Sequence, residues 1–156
     1  MELIKKLHAE KKDQQSSNSA NEDFPINEDF KAKIPSEVQK REVCPTIDAN
    51  IAFIKAVFGD GIGLIGRTYM MQNRMQIGLI FIDSITDKMI VSSEIIEPLL
   101  KENDTLHFGQ DDILEALQTR VLFAPDATIS DQMEEVFTAL LVGSTILLLT
   151  ERTGRL

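Results

Sequence analysis

A continuous apolar run near the middle of the chain constrains the fold most strongly. Residues 77–82 read Ile77-Gly78-Leu79-Ile80-Phe81-Ile82 and carry no polar side chain. A strand with one wet face would alternate with polar residues, so this run predicts a central strand that is buried on both faces. A second strand-like segment, residues 64–71, precedes it across the polar residues 72–74. The short connection indicates that the two strands form an antiparallel pair.

Apolar residues at helical spacing predict a helix before this strand pair. Ile47, Ile51, Ile54 and Phe58 fall on one helical stripe. Thr46 or Asp48 is suited to the N-cap, and Gly59 stands just past the expected end.

Further helices and a last strand are predicted after the pair. Ser92 or Ser93 is a candidate N-cap for a helix that Pro98 should kink. The spacing also predicts helices over 111–121 and from Ser130 to Gly143, a short strand over 120–124, and a final apolar strand over 145–149.

The order of these elements predicts an α/β fold, with a small mixed sheet of three or four strands packed with about four helices. We assign this fold to residues 44–150. Residues 1–43 are polar and charged, with Pro25 and Pro35 as breakers, and predict a disordered, low-complexity tail, in which residues 1–12 are compatible with a short helix. Residues 151–156 form a short C-terminal end.

Composition excludes several classes of function. The net charge of −9 and the lack of Trp argue against a nucleic-acid partner, which needs a basic surface and stacking aromatics. No segment reaches the ~20 apolar residues that span a bilayer, so we expect no direct membrane insertion by these residues. The single cysteine, Cys44, cannot form an internal disulfide, which fits a reducing compartment.

A glycine motif matches the dinucleotide fingerprint. Gly61, Gly63 and Gly66 have the Gly-x-Gly-x-x-Gly spacing, and Asp83 follows at the distance of a ribose-binding carboxylate. That motif functions between a strand and a helix whose N-terminus holds the pyrophosphate. Here the predicted order is helix and then strand, which favours turn geometry and packing. A nucleotide-binding sensor or enzyme stays an alternative that rests on this motif.

Catalytic, cofactor and metal sites find no support in the sequence. His8 and His107 are far apart in the chain, whereas a zinc site needs three or four converging ligands. Cys44 has no histidine near it in sequence to act as a base. We therefore expect a protein that is not an enzyme and that needs no cofactor or metal.

Four charged residues form a candidate interaction or ligand surface. Asp83 follows the central strand, Asp87 and Lys88 come in the same loop, and Arg67 lies among apolar neighbours in the preceding strand. The carboxylates are suited to a cation or a ligand amine. The competing interpretation is turn chemistry, in which Asp side chains accept bonds from nearby backbone N–H groups.

Five sequence blocks give the chain a family resemblance. Residues 44–150 resemble the soluble N-terminal domain of the A subunit of GerA-type spore germinant receptors, of which the chain would be the first subdomain. The blocks are Asn50-Ile51-Ala52-Phe53-Ile54-Lys55 with Val57-Phe58-Gly59, Arg67, Gly78-Leu79-Ile80-Phe81-Ile82-Asp83 with Thr86-Asp87-Lys88, Ile95-Ile96-Glu97-Pro98-Leu99-Leu100, and Leu140-Leu141-Val142-Gly143-Ser144-Thr145-Ile146-Leu147-Leu148.

The resemblance implies a non-enzymatic module of a receptor that triggers spore germination in response to small nutrients. It implies B and C subunits and the remainder of the A subunit as partners. It places the complex in the spore inner membrane, with this part on the cytoplasmic side. Gly143-Ser144 departs from the glycine-and-acid pairing of the family, and the chain ends where a second subdomain and membrane helices would follow. Direct binding of the small nutrient by this domain is a further alternative.

Overall fold

The computed structural model describes residues 34–71, 75–101, 117, 122 and 127–150, together with the backbone of residues 3–7. Five strands form one sheet in the order β2-β3-β5-β1-β4. The strands are β1 (Leu3–Leu7), β2 (Leu64–Met70), β3 (Gln76–Ile82), β4 (Thr128–Ser130) and β5 (Thr145–Leu149). The predicted α/β class and the β2–β3 pair are confirmed.

The pairing directions refine the predicted mixed sheet, because all four described pairs are antiparallel. For β3 and β5, the reason lies in the chain ends of the connection between them. Thr86, just after β3, donates its hydroxyl to the carbonyl oxygen of Gly143, just before β5. The chain therefore re-enters the sheet at the end where β3 leaves it, so β5 runs in the opposite direction.

The helical segments lie on both faces of the sheet. They are α1 (Ser36–Gln39), α2 (Ile47–Phe58), α3 (Lys88–Val91), a π-helical turn (Ser92–Ile96), α4 (Glu97–Lys101) and α5 (Met133–Leu141). Helix α2 begins after Thr46 and ends before Gly59, whose φ of 72° and N–H bond to the Lys55 carbonyl close the last turn. Both ends agree with the sequence prediction.

The helix predicted to begin at Ser92 or Ser93 begins earlier. Asp87 is the N-cap, and its carboxylate accepts a hydrogen bond from the Met89 N–H. The predicted disturbance at Pro98 takes the form of the π-helical turn, in which the Glu97 N–H bonds to the Ser92 carbonyl. Proline has no N–H for the regular helical bond, and a π-turn just before it lets the helix continue.

Two hydrophobic clusters cover the two faces of β3 and β5. Helices α2 and α5 pack on one face against Ile80, Ile82, Ile146 and Leu148. The segment from α3 to α4 packs on the other face, against the alternate residues Ile77, Leu79, Phe81, Leu147 and Leu149. This alternation confirms that β3 is buried on both faces, as its unbroken apolar run predicts.

Two glycines let α2 approach the sheet closely. A Cβ atom at Gly78 would lie 2.5 Å from Ile47 Cγ2, and one at Gly66 would lie 2.8 Å from Ile51 Cγ2. Both distances are shorter than real carbon contacts, so each position requires a residue without a side chain. The predicted packing role of Gly66 agrees with this geometry.

The N-terminal part of the chain contributes more than the sequence predicted. Residues 1–12 were compatible with a helix, but the backbone of Leu3–Leu7 is a strand, because pairing with β4 and β5 outweighs local helix propensity. Ile34 and Val38 are buried in the α2–α5 cluster, so packed residues precede the boundary expected at residue 44. The predicted elements over 111–121 and 120–124 lie outside the described residues, apart from the buried Leu117 and Leu122.

Candidate interaction surface

Three loops meet at one end of the sheet. They are the α2–β2 connection, the segment after β3 and the α5–β5 turn. The Asp83 N–H bonds to the Gly63 carbonyl at 3.0 Å, and the Ser84 hydroxyl donates to the Ile62 carbonyl at 3.4 Å. On the other side, the Thr86 hydroxyl donates to the Gly143 carbonyl at 3.2 Å. The segment after β3 is therefore fixed from both sides by side-chain and backbone hydrogen bonds.

Asp83 and Lys88 are brought together in this segment, as their proximity in sequence suggested. The Lys88 Nζ lies 2.7 Å from the Asp83 Oδ1, with 61 % of the Lys88 side chain and 34 % of the Asp83 side chain exposed. Pairs this accessible contribute little to folding, because water and salt screen them. The pair places one cation beside one anion at the surface.

Asp87 has a local structural function. Its Oδ1 accepts the Met89 N–H at 2.9 Å, which satisfies one of the free donors at the start of α3. Turn chemistry was the alternative to a ligand site at this position, and the hydrogen bond is an instance of that chemistry.

Arg67 is separated from the other three predicted residues. It lies in the middle of β2, opposite Leu79, and is exposed. Leu64, at the loop end of β2, pairs with Ile82. Three residues of strand correspond to about 10 Å, so Arg67 belongs to the edge of the sheet and not to the loop end.

Exposed apolar side chains lie at the same end of the molecule and were not predicted from the sequence. Ile85, Met89 and Val142 are 52, 76 and 53 % exposed. A Cβ atom at Gly143 would lie 4.0 Å from Ile85 Cγ1, which brings the side chain of Ile85 beside the α5–β5 turn. We define the loop-end surface as Asp83, Ile85, Lys88, Met89 and Val142. An apolar residue inside a polar turn, Ser84-Ile85-Thr86, was the available signal.

The glycine motif, Gly61, Gly63 and Gly66, leads into a strand and not into a helix, and its Gly63 contacts the backbone of the loop-end surface. Residues Asp60–Ile62 form a 3-10 turn, Gly63 has a φ of 71°, and β2 follows from Leu64. The order is helix, turn and strand, as predicted, so the helix N-terminus that a pyrophosphate requires does not follow Gly66. Asp83, the residue at ribose-binding distance in sequence, contacts Gly63 through its backbone.

A shallow groove lies on the opposite face from α2, between the sheet and α4. It encloses about 270 Å³ counted to its open mouth and is lined by Tyr69, Met71, Ile77, Leu79, Ile96, Leu99 and Leu100. Ligand sites combine apolar walls with a few polar groups that orient the ligand, and small polar nutrients need such groups for hydrogen bonding. The accessible lining of this groove is entirely apolar, so it offers no such group.

Among the described residues, no group of three His, Cys, Asp or Glu side chains is placed to hold a metal ion. Within the same parts of the chain, no helix has the length and apolar character to cross a membrane.

The fold and the surface together define an α/β domain whose loop end combines exposed apolar side chains with an ion pair. The family model described as Bacillus/Clostridium GerA spore germination protein matches residues 52–155, about two thirds of the chain. The chain therefore belongs to the GerA spore germination protein family, and the resemblance drawn from the five sequence blocks is confirmed. Neither a curated protein nor a solved structure gives a match.

Proposed function

We propose that this chain is a non-enzymatic module of a germinant receptor A subunit. It contributes to nutrient-triggered germination by contacting the B and C subunits or the remainder of the A subunit. The role in spore germination follows from membership of the GerA family. The loop-end surface supports contact as the mode of action, because it exposes three large apolar side chains beside a paired cation and anion.

The chemistry of the loop-end surface suits binding better than catalysis. The Asp83 carboxylate lies against Lys88, and the Asp87 carboxylate holds the start of α3. A general base needs a free carboxylate within reach of a substrate proton. Here each carboxylate already has a structural partner, whereas Ile85, Met89 and Val142 offer the apolar anchors that interface centres use.

The backbone beneath the surface is rigid enough to present these anchors. Hydrogen bonds to Gly63, Ile62 and Gly143 fix the segment from Asp83 to Thr86 on both sides. A pre-ordered surface loses little conformational entropy on binding, which favours a stable contact. In the proposed location, the complex lies in the spore inner membrane with this domain on its cytoplasmic side.

Spores whose receptor gene carries Val142→Asp or Lys88→Glu test the proposal. We expect slower germination with nutrient at unchanged receptor level, because each change places a charge that the partner surface does not match. Leu100→Asp is the matched control, since Leu100 is 51 % exposed but lies on α4. Normal germination of both loop-end variants, at normal protein levels, would contradict the proposed surface.

The two alternatives can be tested on the purified chain. Calorimetric titration with NAD, NADP and ATP addresses nucleotide binding, and an NMR titration with amino acids and sugars addresses direct nutrient binding. Micromolar affinity for a nucleotide that Gly63→Val abolishes would replace the proposal with a nucleotide sensor. Specific shifts with a nutrient would assign the binding step to this domain.

A further inference from the structure

The outer edge of β2 presents a regular row of backbone groups. Among the strands that the structure describes, β2 is the first in the sheet order and pairs with β3 alone. Its pairing with β3 is continuous over all seven residues, from Leu64 opposite Ile82 to Met70 opposite Gln76. It carries neither a proline nor a bulge, the devices that usually interrupt strand addition at an edge.

The hydrogen bonds at both ends of the pair show which residues face outward. The Asp83 N–H bonds to the Gly63 carbonyl, and the Met71 N–H bonds to the Met75 carbonyl. In an antiparallel pair such bonds recur at every second residue. The odd-numbered residues of β2 therefore bond to β3, and Leu64, Gly66, Thr68 and Met70 direct their N–H and C=O groups outward.

Two cations flank the centre of this edge, one on each face. Arg67 is exposed on the face that carries Tyr69. On the α2 face, Lys55 is exposed and its Cε lies 3.5 Å from the position of a Cβ at Gly66. Neither Arg67 nor Lys55 forms an ion pair with a described residue. Asp48, whose Oδ1 accepts the Thr68 hydroxyl at 3.3 Å, places an anion beside Thr68, the next residue of the strand after Arg67.

We propose that this edge binds an extended segment of another protein that carries two consecutive acidic residues. Successive side chains of a strand point to opposite faces. One acidic residue of the added strand therefore meets Arg67, and its neighbour meets Lys55 across Gly66. An added antiparallel strand would pair with Arg67 at a position without hydrogen bonds, where facing side chains are closest.

A second copy of this chain fits the edge less well. In the central antiparallel register Arg67 would stand opposite itself, and like charges at facing positions destabilise a strand pair. The charge of Arg67 thus discriminates against self-pairing while it attracts an acidic strand.

Amide hydrogen exchange of the full chain, followed by NMR, tests the proposal. The probe is a capped nine-residue peptide of threonine and valine with two consecutive glutamates at its centre. In the free protein, we expect fast exchange at Gly66, Thr68 and Met70 and slow exchange at Arg67 and Tyr69. The glutamate peptide should slow exchange at the first three, and the same peptide with two lysines should not.

Variants give the test a second readout. Arg67→Glu and Lys55→Glu should each weaken binding of the glutamate peptide roughly tenfold, because attraction becomes repulsion. Lys40→Glu, just after α1, makes the same charge change away from the edge and should leave binding unchanged. Thr68→Pro should abolish binding with an unchanged circular dichroism spectrum, since its N–H points away from β3.

Three results would overturn the proposal. Equal affinity for the glutamate and lysine peptides would show that the charges of Arg67 and Lys55 do not select the added strand. In the protein without peptide, slow exchange at Gly66, Thr68 and Met70 that depends on protein concentration would identify a second copy as the occupant. Slow exchange at these residues that is independent of concentration would show that the chain covers its own edge.

Discussion

The hydroxyl of Thr86 donates to the carbonyl oxygen of Gly143 at 3.2 Å and joins two loops that are 57 residues apart in the chain. Thr86 is 7 % exposed, so this hydrogen bond is largely shielded from water. It fixes the segment that carries Ile85 and Lys88 against the turn that carries Val142. The composition of the loop-end surface therefore depends on a side chain that is not itself part of it.

Replacing Thr86 separates this hydrogen bond from the packing around it. Thr86→Val keeps the shape of the side chain but leaves the Gly143 carbonyl without the hydroxyl, and we expect a loss of about 1–2 kcal/mol in the free energy of unfolding. Thr86→Ser retains the hydroxyl and should retain most of the stability. Urea unfolding measures both. Equal stability of the valine and wild-type proteins would mean that the hydrogen bond contributes nothing net.

Gly143 is constrained by its backbone as well as by its neighbour. Its φ is +84°, and a Cβ atom would lie 3.0 Å from the Ile85 carbonyl oxygen. We expect Gly143→Ala to lower the free energy of unfolding by about 1–3 kcal/mol, because a left-handed conformation is strained for alanine and the contact adds to it. Gly61→Ala is the control, since nothing lies within 4 Å of its Cβ position. A similar loss for both variants would contradict this account.

The sequence predicts the local elements of this fold better than their arrangement. The helical stripe from Ile47 to Phe58 and the apolar run before Asp83 each define an element through short-range periodicity. The strand at Leu3–Leu7 is different, because its pairing partners, β4 and β5, are more than 100 residues away in the sequence. Propensity alone carries no information about such a pairing.

In the candidate surface, too, contacts between residues close in sequence could be predicted, and contacts that depend on long-range packing could not. Asp83 and Lys88 are close in sequence, and the turn between them is sufficient to bring them together. The separation of Arg67 from this pair follows from strand register, which the residue pattern leaves open. The exposure of Val142 depends on how α5 turns into β5, and only the packed structure shows that this turn, at Gly143, lies beside Ile85.

The contact between Gly78 and Ile47 predicts a strong coupling between two core positions. A Cβ at Gly78 would lie 2.5 Å from Ile47 Cγ2 and 3.2 Å from Leu148 Cβ. Gly78→Ala should destabilise the protein by about 1–3 kcal/mol through overpacking, and Ile47→Ala by about 2–5 kcal/mol through the cavity it leaves. The double variant should lose clearly less than the sum, because the smaller residue makes room for the added methyl group. Additive losses in urea unfolding would show that α2 shifts away from the sheet instead.

The N-cap at Asp87 predicts a different outcome for two small replacements. Asp87→Ala removes the acceptor for the Met89 N–H and should reduce the free energy of unfolding by about 1 kcal/mol. Asp87→Ser supplies another cap and should be close to wild type. If capping is the main function of Asp87, spores with Asp87→Ser should germinate normally. Impaired germination of the serine variant, at normal stability, would indicate that the carboxylate contacts a partner.

Asn50 is a buried polar residue that fixes the chain where it enters α2. Its Oδ1 accepts the Cys44 N–H and its Nδ2 donates to the Cys44 carbonyl, both at 2.7 Å, and only 1 % of the residue is exposed. We expect Asn50→Ala to reduce the free energy of unfolding by about 2–3 kcal/mol, because two backbone groups lose their partner in a site that water reaches poorly. Asn50→Asp keeps the acceptor and loses the donor, so it should retain the bond to the Cys44 N–H while placing a charge in a buried site. Hydrogen exchange at the Cys44 amide separates the two variants: the alanine variant should exchange faster, and the aspartate variant should exchange slowly for as long as it stays folded. An unchanged rate at this amide in Asn50→Ala would mean that another acceptor holds residue 44 in place.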